Sequence, residues 1–361
     1  MLYHLLYSLR ESFIGFNLLG YITFRSAAAA ITALCITFLI GPRIIDWLKK
    51  KEFLETIRDD IPQSHQSKAD TPSMGGIIIL IALLVPVLLF AKLNNLYIQL
   101  IIIATAWMGL VGYWDDYLKV IKKYPKGLIG RYKLIGQILL GVFIALAVTL
   151  SQEYKGVEWF TTVPFFKNLL FNLGWFYVPF VIIVITGTSN AVNLTDGLDG
   201  LSIGLVGIAA LAWAGVSYVS GRADFSEYLN IVYLKGSGEL TIYCGALIGA
   251  SLGFLWFNSH PASVFMGDTG ALSLGSGLGT LAVLLKKELL VPLVCGVFFA
   301  EIISVILQVG SYKWRKKRIF RMAPLHHHFE LQGWAEEKVV ARFWILGIMC
   351  ALLTLSTFKV R

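Results

Sequence analysis

Charge is what this chain has least of for its length. Of 361 residues only 22 are Asp or Glu and 31 are Lys or Arg, whereas 57% are hydrophobic. The runs 77–90 and 178–185 carry no charged residue at all. A soluble domain of this length would not be so apolar. Cysteine is scarce as well. Cys35, Cys244, Cys295 and Cys350 lie in apolar stretches without CxxC spacing. They read as small core residues, not as a disulfide framework or thiolate metal ligands. There is no Walker A motif, so any bound phosphate must be held by metal, lysine, arginine or helix ends. Gly275, Gly277 and Gly279 copy part of a nucleotide-binding glycine pattern, but no strand precedes them and no βαβ unit surrounds them. Small residues that pack transmembrane helices account for them better. Low-complexity tracts and internal repeats are absent, which weighs against the inverted-repeat architecture of many transporters. No small-residue cleavage site precedes the first apolar stretch, so that stretch is expected to stay as an anchor.

What the chain has instead is apolar runs of membrane length. A bilayer core needs about 20 mostly apolar residues per helix. On that basis the sequence predicts about ten spans, roughly at 22–48, 74–91, 96–114, 131–150, 171–188, 200–220, 239–257, 270–285, 289–311 and 337–358. The expected fold is an all-α integral membrane protein, one polytopic domain over 1–361. Its net charge of +9 gathers in three loops. One holds Lys49, Lys50, Lys51 and Arg58; another Lys119, Lys122, Lys123 and Lys126; the third Lys313, Arg315, Lys316, Lys317, Arg318 and Arg321. They follow the first, third and ninth spans and so share one side, which the positive-inside rule makes cytoplasmic. Both termini then fall outside, in the periplasm. The basic loops set topology and attract anionic ligands, and they call for no nucleic acid. The gaps at 151–170 and 221–238 fall outside, and Trp159, Phe160, Phe165 and Phe166 suit anchoring at the interface.

Five polar gaps hold the chemistry, and by the same parity all face the cytoplasm. Lys68 precedes Thr71-Pro72-Ser73-Met74-Gly75-Gly76 and would neutralise a phosphate, although a loop lysine taken singly is usually just solvated. Asp115 and Asp116 close the third span, where ionisable groups are expensive and usually functional. Adjacent helical positions point about 100° apart, so the two aspartates should do different jobs. The plainer alternative is a helix-end cap, or an ion pair from Asp115 to Lys119 four residues on. Asn190, Asn193, Asp196 and Asp199 recur every third residue and would form one slanted polar stripe on a helix end. Gly197 and Gly200 mark a break where backbone approaches a ligand. Turn chemistry alone would not need four amides and carboxylates at constant spacing. Asn258, Phe265, Gly267 and Asp268 form the next cluster. With the other acidic positions on the same face, Mg²⁺ becomes plausible there. Phe265 would stack on a base, or simply sit at the interface. His326, His327 and His328 are consecutive, and zinc ligands skip residues. Hydrogen bonding to phosphate or sugar, or a protonation role near neutral pH, fits them better. Carboxylates, lysine and histidines on one membrane face suit phosphoryl chemistry.

Asp115-Asp116-Tyr117, the run Asn190–Gly200, Val264-Phe265-Met266-Gly267-Asp268 and the run Met322–Phe329 together resemble the polyprenyl-phosphate N-acetylhexosamine-1-phosphate transferases. The resemblance covers nearly the whole chain. The triple histidine and the Thr71–Gly76 segment point to the branch that handles a muramoyl peptide. The resemblance implies a ten-helix enzyme of the bacterial inner membrane with a cytoplasmic site, and a homodimer. Its reaction would move phospho-N-acetylmuramoyl-pentapeptide from UDP-N-acetylmuramoyl-pentapeptide onto undecaprenyl phosphate, with Mg²⁺, giving lipid I and UMP. By the same likeness Asp268 would hold Mg²⁺, and Asp115 or Asp116 would deprotonate or orient the lipid phosphate. Asn190, Asn193, Asp196, Asp199, Lys119 and Phe265 would line the uridine and ribose pocket, with Ser73 and Asn258 beside the substrate. Lys68 and the three histidines would bind phosphate or sugar.

Two other readings compete. A sister enzyme would use UDP-N-acetylglucosamine with the same chemistry. A transporter or channel would place its charges near mid-bilayer. Here the charges cluster at one surface, apart from Glu301, which is expected to pack in the bundle or lie near a lipid-facing groove.

Overall fold

The computed structural model describes residues 1–51, 53, 71–124, 127–166 and 169–358; Lys68, Arg58 and Lys126 fall outside them. Fourteen α-helices follow one another among these residues: α1 Leu2–Tyr7, α2 Ile22–Lys50, α3 Gly76–Phe90, α4 Leu96–Asp116, α5 Gly130–Leu150, α6 Tyr177–Thr195, α7 Leu201–Ser220, α8 Ala223–Leu229, α9 Leu240–Asn258, α10 Gly267–Leu284, α11 Val291–Val294, α12 Gly296–Arg315, α13 Leu325–Glu330 and α14 Glu336–Ser356. The only sheet among them pairs β1 (Phe160–Thr162) with β2 (Leu170–Asn172), antiparallel, with Thr161 opposite Phe171. Eight of the helical segments are long and apolar enough to cross a membrane, and α3 is a shorter apolar helix. In hydrocarbon every backbone N–H and C=O must be satisfied within its own segment, which is why such runs become helices. The chain is an all-α integral membrane protein.

α10 is the hub of the bundle. Every residue from Thr269 to Leu284 is buried, against α4 and α6 above all and against α3, α5 and α7 besides. Its glycines serve that packing. A Cβ on Gly275 would come 2.6 Å from Thr188 O, and one on Gly277 would come 2.5 Å from Tyr243 Oη. Small residues let backbones approach where no hydrophobic effect drives helices together.

The helices overrun the apolar intervals at one end. α4 continues through Asp116, α6 through Thr195, and α10 starts at Gly267. Asp115, Asp116, Asn190, Asn193 and Asp268 therefore sit on helix ends, while Asp196 and Asp199 lie on the turn between α6 and α7. The interval 289–311 is also interrupted. Cys295, with φ −100° and ψ 33°, separates α11 from α12. Next to it, Gly296 admits Cys350 of α14, since a Cβ there would lie 2.6 Å from Cys350 Sγ.

The opposite end is tied by buried charge. Arg25, fully buried near the start of α2, makes two hydrogen bonds to the Glu239 carboxylate at 2.7 and 2.8 Å and one to Phe90 O at 3.1 Å. Glu239 also accepts from Lys92 N at 3.1 Å. One ion pair thus joins α2, the α3–α4 turn and the start of α9. Beyond it, Glu288 accepts from Thr161 Oγ1 at 2.6 Å and Tyr177 Oη at 2.7 Å, which docks the β-hairpin on the turn after α10.

Removing one partner of a buried pair leaves an uncompensated charge and costs about 3–5 kcal/mol. Arg25→Met should therefore lower the thermal midpoint in detergent sharply, and Arg25→Met/Glu239→Leu should recover much of the loss. A single variant that melts with the wild type would show that the pair contributes nothing.

Candidate active site

The site forms where the end of α4 meets the start of α10. The first N–H groups of a helix have no partner inside it, and a buried helix start must find them one. Asp116 provides it. Its carboxylate accepts from Asp268 N at 3.0 Å, from Thr269 N at 2.8 Å and from Thr269 Oγ1 at 2.6 Å. A negative charge there also complements the positive end of the helix. The approach demands glycine on both sides. A Cβ on Gly112, one turn before Asp116, would lie 2.2 Å from Asp268 O, and one on Gly267, at φ 69°, would lie 2.8 Å from Asp116 Oδ2.

This cap fixes Asp268 beside Asp115, and Asp115 points elsewhere than Asp116. Its Oδ1 accepts from Leu128 N at 2.7 Å. Its Oδ2 faces Lys119 Nζ at 2.5 Å and Lys133 Nζ at 2.9 Å. The same two ammonium groups reach Asp268 Oδ2, Lys119 at 2.8 Å and Lys133 at 2.5 Å. Asp268 Oδ1 accepts from Asn193 Nδ2 at 2.5 Å. Asp115, Asp116 and Asp268 each offer a carboxylate oxygen, and the three lie within 4.8 Å of one another. An all-oxygen donor set of this kind suits a hard divalent cation.

The polar stripe divides among three neighbours. Asn193 reaches Asp268. Asn190 donates instead to Gln137 Oε1 at 3.0 Å and Thr186 O at 2.8 Å, which ties α6 to α5. Asp196 follows the last residue of α6, and Asp199 belongs to a separate cluster. There Asp199 Oδ2 accepts from Ala262 N at 3.1 Å and faces His260 Nδ1 at 3.0 Å, while Asp199 N donates to Glu336 Oε1 at 2.8 Å. Asp199, His260 and Glu336 are a second group with cation-holding atoms within 4.8 Å of one another. Asn258 sits beside it, accepting from Gly200 N at 3.1 Å and donating to Val264 O at 2.9 Å.

Phe265 is half-buried, and its backbone pairs with the Thr71–Gly76 segment: its N–H donates to Pro72 O and its carbonyl accepts from Gly75 N, both at 2.8 Å. Ser73 is buried there, and its Oγ would lie 3.2 Å from a Cβ on Gly267.

The three histidines of α13 face three ways. His326 is fully buried, with Nδ1 3.1 Å from Glu301 Oε1. Glu301 also accepts from the backbone N–H groups of Leu325 and His326, so it caps α13. His326 Nε2 has no hydrogen-bond partner among the described residues and lies where a Cβ on Gly197 would be 2.4 Å away. The histidine helix thus docks on the break after Asp196. His327 Nδ1 is 2.7 Å from Glu330 Oε2, and His328 Nδ1 accepts from Arg321 N at 3.1 Å. Of the two places expected for Glu301, the structure shows packing inside the bundle.

Sequence reasoning missed Lys133, Gln137, His260 and Glu336. Lys133 and Gln137 stand one turn apart at the start of an apolar span, Lys133 facing Asp115 and Asp268 and Gln137 facing Ser189 and Asn190, and that spacing was the one local signal they carried. Nothing local marks His260 or Glu336.

The sequence matches glycosyl transferase family 4 over residues 98–286 and the phospho-N-acetylmuramoyl-pentapeptide-transferase signature 1 over residues 68–80. It is similar along its whole length to curated proteins named phospho-N-acetylmuramoyl-pentapeptide-transferase. It is 54% identical to that of Thermodesulfovibrio yellowstonii, 52% to that of a Geobacter species and 51% to that of Gemmatimonas aurantiaca, with 100% of each chain covered in every case. The chain belongs to glycosyl transferase family 4 and, within it, to the phospho-N-acetylmuramoyl-pentapeptide-transferases.

Proposed function

We infer that this protein transfers phospho-N-acetylmuramoyl-pentapeptide from its UDP carrier to undecaprenyl phosphate, releasing UMP and forming lipid I. The reading places it in the bacterial inner membrane as one polytopic domain, a homodimer, with the site facing the cytoplasm. Full-length identity above half to relatives of that name supports the reaction. The observation that carries the site is the meeting of Asp115, Asp268, Lys119, Lys133 and Asn193 around the start of one buried helix.

In this reading Mg²⁺ is held by Asp268 with Asp115, and when bound it supplies charge neutralisation at the diphosphate. The remaining steps belong to the chain's own side chains. Asp116 holds the start of α10, and so Asp268, in place. Asp115 orients the attacking lipid phosphate, which is already mostly anionic at neutral pH, so little proton removal is required of it. Lys119 and Lys133 offset negative charge as the bond to the leaving UMP breaks. Asn193, Asp196 and Phe265 form the nucleoside side of the pocket; Asn190 and Asp199 support it through Gln137 and His260, with Ser73 and Asn258 shaping its wall. Lys68, His327 and His328 take the phosphate and sugar side, while the buried His326 holds their helix against the break at Gly197.

The test is UMP release by detergent-purified protein given undecaprenyl phosphate, Mg²⁺ and either UDP-N-acetylmuramoyl-pentapeptide or UDP-N-acetylglucosamine. Turnover is expected with the first donor alone, abolished by EDTA, restored by Mg²⁺, and reduced about 100-fold or more in Asp268→Asn. Turnover with the second donor alone would move the protein to the sister branch, and turnover with neither would refute the reading.

The two adjacent aspartates should separate. Asp115→Asn should lose turnover while its thermal midpoint stays near that of the wild type. Asp116→Ala should lose both, with a stability cost of about 1–2 kcal/mol for the missing cap. Equal melting of the two variants would contradict the division of roles.

A further inference from the structure

Two ammonium groups stand on the oxygens that a divalent cation would use. Lys119 and Lys133 each bridge Asp115 Oδ2 and Asp268 Oδ2, at 2.5 to 2.9 Å. The two carboxylates are anchored independently of them, Asp115 through Leu128 N and Asp268 through Asn193 Nδ2. The lysines have no such second anchor: among the described residues, these two carboxylates are the only ion-pair partners of either ammonium. Both lysine side chains are partly open to solvent, at 33% and 20% exposed, whereas Asp115 is at 0%.

Charge balance limits how this cluster can accept a cation. Two ammonium groups and two carboxylates are together neutral, and the Asp116 carboxylate faces the positive end of α10. A divalent cation ligated by these oxygens would sit about 2.1 Å from each, within a few ångströms of both ammonium groups. Like charges at that separation in a half-buried site repel by several kcal/mol. Either the ammonium groups leave or compensating anions arrive.

We propose that Lys119 and Lys133 are exchangeable place-holders, which hold Asp115 and Asp268 ready and then pass to the donor's diphosphate when a divalent cation takes those oxygens. The proposal rests on the reading of the site above and adds a coupling to it. Cation and nucleotide diphosphate must each strengthen binding of the other, because the diphosphate gives the displaced lysines a new partner. Without nucleotide the lysines compete with the cation, so deleting one should tighten cation binding even as it impairs turnover.

The measurement is Mn²⁺ titration of the detergent-purified full chain, with free Mn²⁺ read by electron paramagnetic resonance and no donor or acceptor lipid present. Lys133→Met should bind Mn²⁺ about tenfold more tightly than the wild type, and Lys133→Arg should bind as the wild type does. Adding UDP should tighten Mn²⁺ binding about tenfold in the wild type and clearly less in Lys133→Met. Lys119→Met serves as a second variant with the same expected shift should Lys133→Met fail to fold. Mn²⁺ affinity unchanged or weakened in the lysine variants, or indifferent to UDP in the wild type, would overturn the proposal. Retained Mn²⁺ binding in Asp268→Asn would overturn the assignment of the cation site and the proposal with it. Failure of UMP release alone, with the Mn²⁺ shifts as stated, would refute only the assigned reaction.

Discussion

The Asp116 cap on α10 is the constraint on which the site depends. α10 is buried from Thr269 to Leu284, so the N–H groups of its first turn need partners from within the protein. Asp116 meets two of them, and the hydroxyl of Thr269, from the last turn of α4. That contact sets the register between the two helices. Asp268, in the first turn of α10, then falls against Asp115, one residue before the cap. Glycine is required at both positions: a side chain on Gly112 would wedge against the backbone of Asp268, and one on Gly267, at φ 69°, would press on the Asp116 carboxylate itself. Adjacent aspartates thus face separate partners: one holds a helix, and the other faces the charged cluster.

The remaining loops are drawn in by similar contacts. The segment before α10 hydrogen-bonds to the segment before α3, which brings Ser73 to Gly267. Asn258 links the break after α6 to Val264 in the loop before α10, and Glu336 at the start of α14 takes Asp199 N. Glu301, buried in α12, caps the histidine helix and orients His326 toward Gly197. Polar groups inside a membrane bundle are expensive unless fully paired. Here the pairing partners come from the ends of many helices, which is how separate stretches of sequence are made to converge.

The fold class was legible because apolar runs of membrane length leave the backbone little choice but helix. The five polar gaps were legible because polar residues stand out against such a background. Where the helices stop was not. Apolar content ends before the helix does, so Asp115, Asp116, Asn190 and Asn193 proved to lie on helices that outlast their apolar runs. The stripe at every third residue was visible, yet its members part company: Asn193 turns to Asp268, Asn190 to Gln137 and Asp199 to His260. Lys133 went unseen because its partners are 18 and 135 positions away in sequence, and no periodicity reports such a pairing. The same holds for Glu336 and His260. Lys68 lies outside the described residues, so its expected role is carried by the sequence alone.

The central claim is that the cation belongs to Asp268 and Asp115 and that the lysines yield to it. The most direct measurement is anomalous diffraction from crystals grown with Mn²⁺ and UDP. The account predicts a peak ligated by Asp268 and Asp115, with the ammonium groups of Lys119 and Lys133 turned from the carboxylates to the diphosphate. A peak at Asp199, His260 and Glu336 instead, or one at Asp268 with both lysines still paired as before, would contradict it.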